Sequence, residues 1–329
     1  MNVSNNKLHV LLTGCAGFIG SHLCEKLLAE GHRVTGVDNF DPFYDKKIKL
    51  RNLSASMQNS MFRFVETDLS EENGTENLRD NYNVVIHLAA KAGVLPSIKN
   101  PEAYLRSNIT GTLNILELMK DRGIRKLVFG SSSSIYGNNK KTPFGEDDNV
   151  DHPISPYAFT KKSCELLTHT YHHLYRIDVL NLRFFTVYGP RQRPDLAIHK
   201  FVRLMSENKP ITLYGKGETA RDYTFVGDIV NGILGAVDFL MKNNNAYEII
   251  NIGNNKPVKL KDLVEMLYEL TGKQKNITCL PEQAGDVELT YADISKASRL
   301  LNYQPLKPLR EGLEEFISWM RDEYRISSF

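Results

Sequence analysis

The stretch Leu8–Asp38, LHVLLTGCAGFIGSHLCEKLLAEGHRVTGVD, contains the pattern that decides the fold of this chain. It begins with an apolar run, Leu8 to Leu12, whose length is typical of a buried strand. The glycine-rich turn TGCAGFIG follows, and apolar residues then recur at helical spacing from Ser21 to Glu30. A second strand-like run, RVTGVD, ends at Asp38. The stretch therefore predicts a strand, a glycine turn, a helix and a second strand, which form one βαβ unit.

The glycines of this turn, Gly14, Gly17 and Gly20, are spaced as GxxGxxG between the predicted strand and the predicted helix. An ordinary turn can have this spacing, but the flanking elements and Asp38, 18 residues after Gly20, favour a dinucleotide site. There the backbone approaches a pyrophosphate closely and the helix N-terminus faces the anion. Asp38 would hold the ribose hydroxyls of the adenosine. Because its charge would repel a 2′-phosphate, the pattern favours NAD over NADP.

The alternation of strands and helices continues for about 185 residues. Strand-like runs at 62–68, 83–90, 126–133 and 178–184 are separated by helical patterns, the longest at 101–120 and 157–175. Continuous apolar strands of this kind favour a parallel sheet covered on both faces. We therefore predict an α/β fold: a Rossmann-type doubly wound parallel sheet with a smaller C-terminal α/β substrate domain. The predicted NAD-binding domain is 1–185, with 228–253 returning to it, and the substrate domain is 186–227 and 254–329.

The composition excludes several classes of protein. Hydrophobic residues make up 41% of the chain and charged residues 24%, so disorder is not its main state. The net charge of +2 is too small for a protein that coats nucleic acid. The four cysteines are scattered without a CxxC, which predicts free thiols and no metal site. Since no apolar run approaches the ~20 residues of a membrane span, we expect a cytoplasmic protein without a membrane or nucleic-acid partner.

Tyr157 and Lys161 lie four residues apart on a predicted helix, so they share one face. A phenol titrates near pH ~10, and a neighbouring ammonium would favour the phenolate that a general base needs. The serines 131–134 follow the strand-like run KLVFG, where a hydroxyl could donate to a reacting sugar hydroxyl and relay its proton. A surface pair and a polar loop are the alternatives for each motif alone. Their order after the glycine turn favours a catalytic site.

Six ordered features resemble the extended short-chain dehydrogenases/reductases: TGCAGFIG, the strand-end Asp38, HLAA, SSSSIYG, SPYAFTKK and RDYTFVGD. More closely, the chain resembles the NAD-dependent nucleotide-sugar epimerases, and this resemblance covers essentially its whole length. It implies a Rossmann domain that holds NAD and a C-terminal domain that holds a UDP-sugar. By the same resemblance, Tyr157 is the base, Lys161 binds the nicotinamide ribose and tunes Tyr157, and Ser132 contacts O4 of the sugar.

The resemblance also implies the remaining contacts of the two ligands. Arg221 would bind the UDP phosphates, Asp286 would lie near the uridine ribose, and Leu213 and Tyr214 would flank the uracil. Asp68 would hydrogen-bond the adenine, unless it is only a polar residue at a strand end. The residues expected to bind the cofactor are Gly14, Gly17, Phe18, Ile19, Gly20, Asp38, Asn39, Asp68, Leu69, Leu88, Ala89, Ala90, Asn108, Tyr157 and Lys161.

The segment FFTVYGPRQRPD, residues 184–195, indicates which sugar is bound. Thr186 and the trailing Arg193-Pro194-Asp195 are similar to the UDP-glucuronate 4-epimerases, whereas UDP-glucose 4-epimerases usually carry Asn in place of Thr186. Arg193 is then the candidate partner of the C6 carboxylate, because charge-assisted pairs of this kind are strong. Thr186 and the hydroxyls of Ser133 and Ser134 would support it. Alternatively, Arg193 and the neighbouring Arg191 only bind phosphate or brace the loop.

Ser134 bears on the fate of the 4-keto sugar. Decarboxylases and dehydratases of this family usually have an acidic residue just before the VYG-like tripeptide, and Ser134 stands there in this chain. We therefore expect C4 epimerisation of UDP-glucuronate to UDP-galacturonate through a transient 4-keto sugar. The alternatives are a 4-epimerase of UDP-glucose or UDP-N-acetylglucosamine, a UDP-glucuronate decarboxylase, and a non-catalytic NAD-binding scaffold.

The resemblance further implies a homodimer in which the helices at 101–120 and 157–175 pair with those of a second copy. Both helices carry apolar residues beyond a single buried stripe, although a wide stripe facing the core is the alternative. These residues are Ile109, Leu113, Leu116, Leu166, Leu167 and Tyr171.

Overall fold

The computed structural model describes residues 7–281 and 287–326 of the chain. These ranges contain twelve strands: β1 (His9–Thr13), β2 (Arg33–Asp38), β3 (Phe62–Glu66), β4 (Val84–His87), β5 (Lys126–Ser132), β6 (Asp178–Phe184), β7 (Thr186–Tyr188), β8 (Ile211–Tyr214), β9 (Ala220–Phe225), β10 (Tyr247–Ile252), β11 (Pro257–Lys259) and β12 (Ile277–Leu280). Their helices are α1 (Phe18–Ala29), α2 (Lys46–Leu53), α3 (Val94–Lys99), α4 (Pro101–Tyr104), α5 (Gly111–Arg122), α6 (Pro156–Tyr175), α7 (Ala197–Ser206), α8 (Val226–Lys242), α9 (Leu260–Thr271), α10 (Ser295–Leu301) and α11 (Leu309–Tyr324).

A seven-stranded parallel sheet forms the centre of the molecule, with the strand order β10-β6-β5-β4-β1-β2-β3. The chain winds outward from β1 in both directions, so the order reverses between β1 and β4. Such a reversal opens a crevice at the carboxyl ends of the strands. The predicted doubly wound parallel sheet is confirmed. Strand β10 joins its edge beside β6, while the domain limits at 185, 227 and 253 stay a prediction.

Helices cover both faces of this sheet because its strands are apolar on both sides. In β1, Val10 and Leu12 belong to the core cluster that contains residues of α1 and α8. Leu11, between them, belongs to the cluster on the opposite face, with residues of α5 and α6. Successive side chains of a strand point to opposite faces, so an unbroken apolar run requires cover on each.

A smaller α/β unit follows in the second half of the chain. It contains a three-stranded sheet with the order β11-β9-β7 and a two-stranded parallel pair, β8 and β12. Its hydrophobic core includes Tyr188 from β7, Phe201 from α7, Leu263 from α9 and Phe316 from α11. The predicted smaller C-terminal α/β unit is therefore present.

The helix predicted at 101–120 is not one regular helix. Its middle part, Leu105–Thr110, is a π-helical turn between α4 and α5. Asn108 lies in this turn, and its side-chain amide accepts from Lys91 N at 2.7 Å and donates to Lys91 O at 3.0 Å. The prediction of a continuous α-helix was wrong because apolar periodicity does not report a single wide turn, which is often found beside functional sites.

The cysteines and the helices bear on the predictions made from the composition of the chain. Cys15, Cys24 and Cys164 are buried free thiols and Cys279 is an exposed one, as the sequence predicts. Among the described residues, no helix is both long and apolar enough to cross a membrane.

Candidate functional site

A cavity of about 720 Å³ lies at the carboxyl ends of the central strands and extends toward the smaller unit. Most of the side chains and glycines predicted for the site line it together. They are Gly14, Gly17, Phe18, Ile19, Gly20, Asp38, Asn39, Asp68, Leu69, Leu88, Ala89, Ala90, Ser132, Ser133, Ser134, Tyr157, Lys161, Thr186, Arg193 and Arg221.

The turn between β1 and α1 has no room for a side chain at Gly14 or at Gly20. Gly14 has a φ of +71°, and a Cβ there would lie 2.8 Å from Ala89 N. A Cβ on Gly20 would lie 2.0 Å from the carbonyl oxygen of Gly14. The backbone can therefore turn tightly and begin α1 directly at the cavity, where the amides of the first turn attract an anion. This cradle fits the pyrophosphate of a dinucleotide.

Two carboxylates lie near the end of β2. Asp38 accepts hydrogen bonds from Phe40 N at 2.8 Å and Ala16 N at 3.2 Å, and its carboxylate is 3.5 Å from Lys49 Nζ. Burial alone would raise the pKa of Asp68, but hydrogen bonds from Ser70 and Asn39 outweigh it and hold this pKa below its usual value. The two carboxylates can accept hydrogen bonds from the hydroxyls of a ribose, so this set of acceptors fits NAD.

The floor of the cavity contains a buried histidine, His87, that the sequence reasoning missed. Burial and the charge of Lys161 lower the pKa of His87 to about 3, so the ring is neutral. The Thr112 hydroxyl donates its proton to the backbone carbonyl of Asn108 at 2.6 Å. It must therefore accept from His87 Nε2, which lies 3.1 Å from Thr112 Oγ1. His87 Nδ1 then accepts from Thr13 Oγ1 at 2.7 Å. Thr13 in turn accepts from Ala89 N, which fixes the cavity wall at that residue.

Tyr157 and Lys161 project from the first two turns of α6. The helix begins here because Ser155 caps it by accepting from Ala158 N at 3.1 Å, and Pro156 suits its first position. The ammonium of Lys161 donates to Gly130 O at 2.6 Å, and burial lowers the pKa of Lys161 to about 8.

Tyr157 is a half-buried phenol whose neighbours favour its ionised form. Burial raises the pKa of Tyr157, whereas a hydrogen bond with Ser132 and the charge of Arg193 lower it. Its backbone N–H donates to Ser97 Oγ at 3.1 Å, and the ring of Tyr104 packs edge-on at 6.2 Å. The phenol can therefore exchange a proton with a ligand held between Ser132 and Arg193.

The serines that follow β5 form a 3₁₀ turn, Ser133–Tyr136, at the cavity wall. Ser132 caps this turn by accepting from Ser134 N at 3.2 Å. The buried hydroxyl of Ser134 has no hydrogen-bond partner within the described residues. Since an unpaired buried hydroxyl is unfavourable, this group is available to a polar ligand.

Arg193 and Arg191 lie on one loop but point to different places. Arg193 faces the cavity, where Nε and Nη2 donate to Asp195 at 3.0 and 2.7 Å and Phe43 lies 5.0 Å beneath the guanidinium. Arg191 turns toward α1, where it pairs with Glu25 at 2.8 Å. His22 of α1 also contacts the carbonyl of Pro190 at 2.9 Å. Arg191 therefore braces the loop, and Arg193 alone of these two arginines lines the cavity.

The structure does not bring every predicted residue to the cavity. Asn108 is buried behind it and holds Lys91. Leu213 points into the core of the smaller unit because β8 packs there, and Tyr214 is 40% exposed. Neither residue lines the cavity, and the uracil contacts expected of them stay a prediction. Asp286 lies outside the described residues.

Several groups next to the site were missed because a sequence gives little indication of them. Ser97 and Tyr104 support Tyr157 from segments that carry no motif. Glu165 and Arg183 had a detectable pattern: an acidic residue one turn after Lys161, and an arginine within the otherwise apolar run DVLNLRF. A charged side chain on a buried face requires a partner of opposite charge. Glu165 and Arg183 pair with each other, with 2.9 Å between Oε2 and Nη2.

Comparisons with known proteins agree with this geometry. A model of the NAD dependent epimerase/dehydratase family matches residues 10–253. The UDP-glucuronate 4-epimerase of Thermodesulfobacterium geofontis is 44% identical over 97% of this chain and 98% of its own. A crystal structure of UDP-glucuronic acid 4-epimerase from Bacillus cereus with UDP-glucuronic acid and NAD has a TM-score of 0.91 and 39% identity, over 96% and 100% of the two chains. A UDP-glucose 4-epimerase from Thermotoga maritima has a TM-score of 0.87 and 33% identity, over 96% and 100%.

The burial of Lys161 predicts a stability effect that does not depend on ligands. The folded chain releases the Lys161 proton near pH 8, whereas the ordinary pKa is 10.5. Between these values the unfolded chain binds more protons, so the free energy of unfolding of the wild type rises with pH. Lys161→Met lacks the buried charge and should be more stable than the wild type at pH 7, by up to about 3 kcal/mol, with the difference shrinking toward pH 10.

Urea unfolding of both cofactor-free proteins at pH 7 and pH 10 measures this effect. A variant less stable than the wild type at pH 7 would show instead that the hydrogen bond to Gly130 outweighs the cost of burial.

Proposed function

We propose that this chain, which belongs to the NAD dependent epimerase/dehydratase family, is a UDP-glucuronate 4-epimerase that forms UDP-galacturonate. The observation that carries the proposal is the cavity wall that joins Arg193 and the unpaired Ser134 hydroxyl to Tyr157. It provides a cation and a hydroxyl donor for a carboxylate beside a residue that can accept a proton. The named relatives support the same activity.

NAD is the cofactor, and bound in this cavity it would supply the hydride acceptor for C4 of the sugar and the hydride donor for the return step. The glycine turn leaves space for the pyrophosphate at the start of α1, and Asp38 holds the ribose hydroxyls of the adenosine. Lys161 holds the nicotinamide ribose. Epimerisation causes no net oxidation of the sugar. The cofactor therefore needs no exchange with free cofactor between turnovers and stays in the cavity.

Tyr157 takes the proton of the C4 hydroxyl and gives it back after the sugar has turned. Its phenolate is opposed by burial, and the hydrogen bond with Ser132 and the charge of Arg193 favour it. The ammonium of Lys161 adds a further positive charge on the same helix face. Ser132 has one hydroxyl proton, so it donates either to the Tyr157 phenolate or to O4 of the sugar, and it relays the proton between these two oxygens.

Arg193 binds the C6 carboxylate, supported by the hydroxyls of Thr186, Ser133 and Ser134. Asp195 occupies one edge of the guanidinium, and we assign the other edge to the substrate. A charge-assisted pair of this kind selects a uronate over a neutral sugar, because only the carboxylate gives the Arg193 guanidinium a second anionic partner beside Asp195. Arg221, on β9 and also at the cavity, binds the diphosphate.

Ser134 explains why the carboxylate is retained. A 4-keto uronic acid is a β-keto acid and loses carbon dioxide readily, so the enzyme must hold its carboxylate still until the hydride returns. The Ser134 hydroxyl can donate to the carboxylate but cannot act as an acid or base toward C5. This supports epimerisation over decarboxylation and dehydration.

The first test is the substrate itself. We expect the purified protein, without added NAD, to convert UDP-glucuronate into UDP-galacturonate and to leave UDP-glucose and UDP-N-acetylglucosamine unchanged. Anion exchange and NMR identify the products. A UDP-pentose from UDP-glucuronate would contradict the role of Ser134, and turnover of the neutral sugars alone would contradict the role of Arg193.

The second test compares the two arginines of the loop. Arg193→Ala should lower kcat/KM for UDP-glucuronate by roughly 30- to 150-fold, equivalent to about 2–3 kcal/mol, because a charge-assisted bond to the carboxylate is lost. Arg191→Ala is the matched control, since Arg191 points to Glu25, and should change kcat/KM much less. Equal, modest losses in the two variants would contradict carboxylate binding by Arg193.

We also propose that the enzyme is a homodimer. Of the residues expected at the interface, Leu116 and Tyr171 are buried in the protein's own core. Leu113 and Leu166, on α5 and α6, are 37% and 58% exposed, and Phe159 on α6 is 46% exposed. Apolar side chains exposed on two neighbouring helices support a shared interface there.

The location of the protein is a separate point. Its free thiols support a reducing compartment, and we propose that it is the cytoplasm.

Light scattering during gel filtration tests the assembly. We expect a mass of about twice 37.4 kDa at micromolar protein, and about half of that for Leu166→Arg, because the charge would be desolvated at the interface. A wild-type protein that elutes as a 37.4 kDa monomer would contradict the dimer.

A further inference from the structure

The segment from Ser131 to Tyr136, which we call the serine segment, carries the three cavity serines between two anchored ends. At the first end, Ser131 Oγ donates to Glu165 Oε1 at 2.7 Å. At the other end, Arg183 Nη1 donates to Tyr136 Oη at 2.9 Å. Glu165 and Arg183 bind each other, so both ends of the segment are attached to one ion pair.

This ion pair is fully enclosed and connects the sheet with the catalytic helix. Arg183 lies on β6 directly opposite Ser131 of β5, and Glu165 lies on α6 one turn after Lys161. Arg183 Nε and Nη2 donate to the two oxygens of Glu165, each at 2.9 Å, and both side chains are 1% exposed. Removing two charges from water costs about as much as the pair returns, so stability alone does not account for it.

The second end of the serine segment is fixed from several directions. Tyr136 Oη donates to Asn251 Oδ1 on β10 at 2.7 Å, and the guanidinium of Arg183 lies 5.0 Å above the ring of Tyr136. Arg183 also donates to Glu146 O at 3.2 Å. The hydroxyls between the two ends therefore have little freedom relative to α6.

We propose that Glu165, with Arg183, is a positioning residue: it holds the serine segment against α6 so that the serine hydroxyls and Tyr157 keep their mutual placement while the keto sugar turns. The inference rests on the proposed function, since only a turning intermediate needs donors that stay fixed when the ligand moves. A displacement of about 1 Å at a reacting group can lower a rate by roughly 100-fold.

The carboxylate of Glu165 also acts on Lys161. Burial lowers the pKa of Lys161, and the carboxylate of Glu165 opposes this, while the Cys164 thiol is uncharged because burial raises its pKa. The groups that face Lys161 are the neutral His87 from β4, the ring of Phe129 and the carbonyl of Gly130 from β5, and Cys164 and Glu165 from α6. Replacing Glu165 by a neutral residue should therefore lower the pKa of Lys161 further.

Two variants release the ends of the serine segment and leave the ion pair intact: Ser131→Ala and Tyr136→Phe. We expect each to lower kcat on UDP-glucuronate by at least about tenfold, with KM and the bound NAD close to those of the wild type. Tyr136→Phe leaves Arg183 Nη1 and Asn251 Oδ1 short of a partner, so its melting temperature should fall, and kcat is compared per folded protein. Tyr268→Phe is the matched control, because its buried hydroxyl also makes hydrogen bonds, to the backbone of Asn276 in the smaller unit. It should leave kcat unchanged.

A third variant, Glu165→Gln, separates positioning from a purely structural role through its pH profile. We expect the alkaline limb of kcat/KM to move to lower pH in Glu165→Gln, because Lys161 loses its proton more easily, and to stay in place in the other two variants. If Glu165→Gln does not fold, the variants at Ser131 and Tyr136 decide alone.

The inference is overturned if Ser131→Ala and Tyr136→Phe keep the wild-type kcat, or if they lose activity only in proportion to lost NAD or lost fold. An unmoved alkaline limb in folded Glu165→Gln also overturns the role toward Lys161. A wild-type protein that turns over no UDP-sugar would overturn the proposed function instead, so the two failures are distinguishable.

Discussion

The parallel direction of the seven central strands is the constraint on which the site depends. Because all carboxyl ends lie along one edge of the sheet, the turns after β1, β2, β4 and β5 lie close together there although they are far apart in the sequence. The reversal of strand order between β1 and β4 leaves a crevice at that edge. The cavity therefore follows from topology, and the loop after β7 closes it from the side of the smaller unit.

Opposite charges are paired at both ends of the cavity. Asp38 lies 3.5 Å from Lys49 Nζ at one end, and Arg193 pairs with Asp195 at 2.7 Å at the other end. Burial acts against each charge that chemistry requires: it lowers the pKa of Lys161 and raises that of Tyr157. The protein keeps these groups functional with fixed donors such as Ser132 rather than with solvent, so the site is costly to fold and selective once folded.

The central sheet could be predicted from the sequence, including the limits of Arg33–Asp38 and Asp178–Phe184, because each strand is a continuous apolar run between turn residues. Most residues lining the cavity were also predictable, since motifs at strand ends converge in a parallel sheet. The π-helical turn at Asn108 and the inward orientation of Leu213 were not, because periodicity does not specify a wide turn or the buried face of a short strand. Glu165 and Arg183 could each be recognised as a charge in a buried segment, but their pairing required the packing of α6 against β6, which only the folded chain supplies.

The anchorage of the loop that carries Arg193 has a consequence for how sugar preference can change. Arg191 and Pro190 attach this loop to Glu25 and His22 of α1, the helix whose first turn faces the pyrophosphate. The loop that carries Arg193 and the turn that faces the pyrophosphate are thus both held by α1. A transplanted loop of another length would lose both attachments together and would shift the sugar ring away from the dinucleotide, whereas the contact of His22 with Pro190 remains when Arg191 alone is replaced. Substitution of the residues that contact the sugar should therefore be tolerated more easily than a change in the length of the loop.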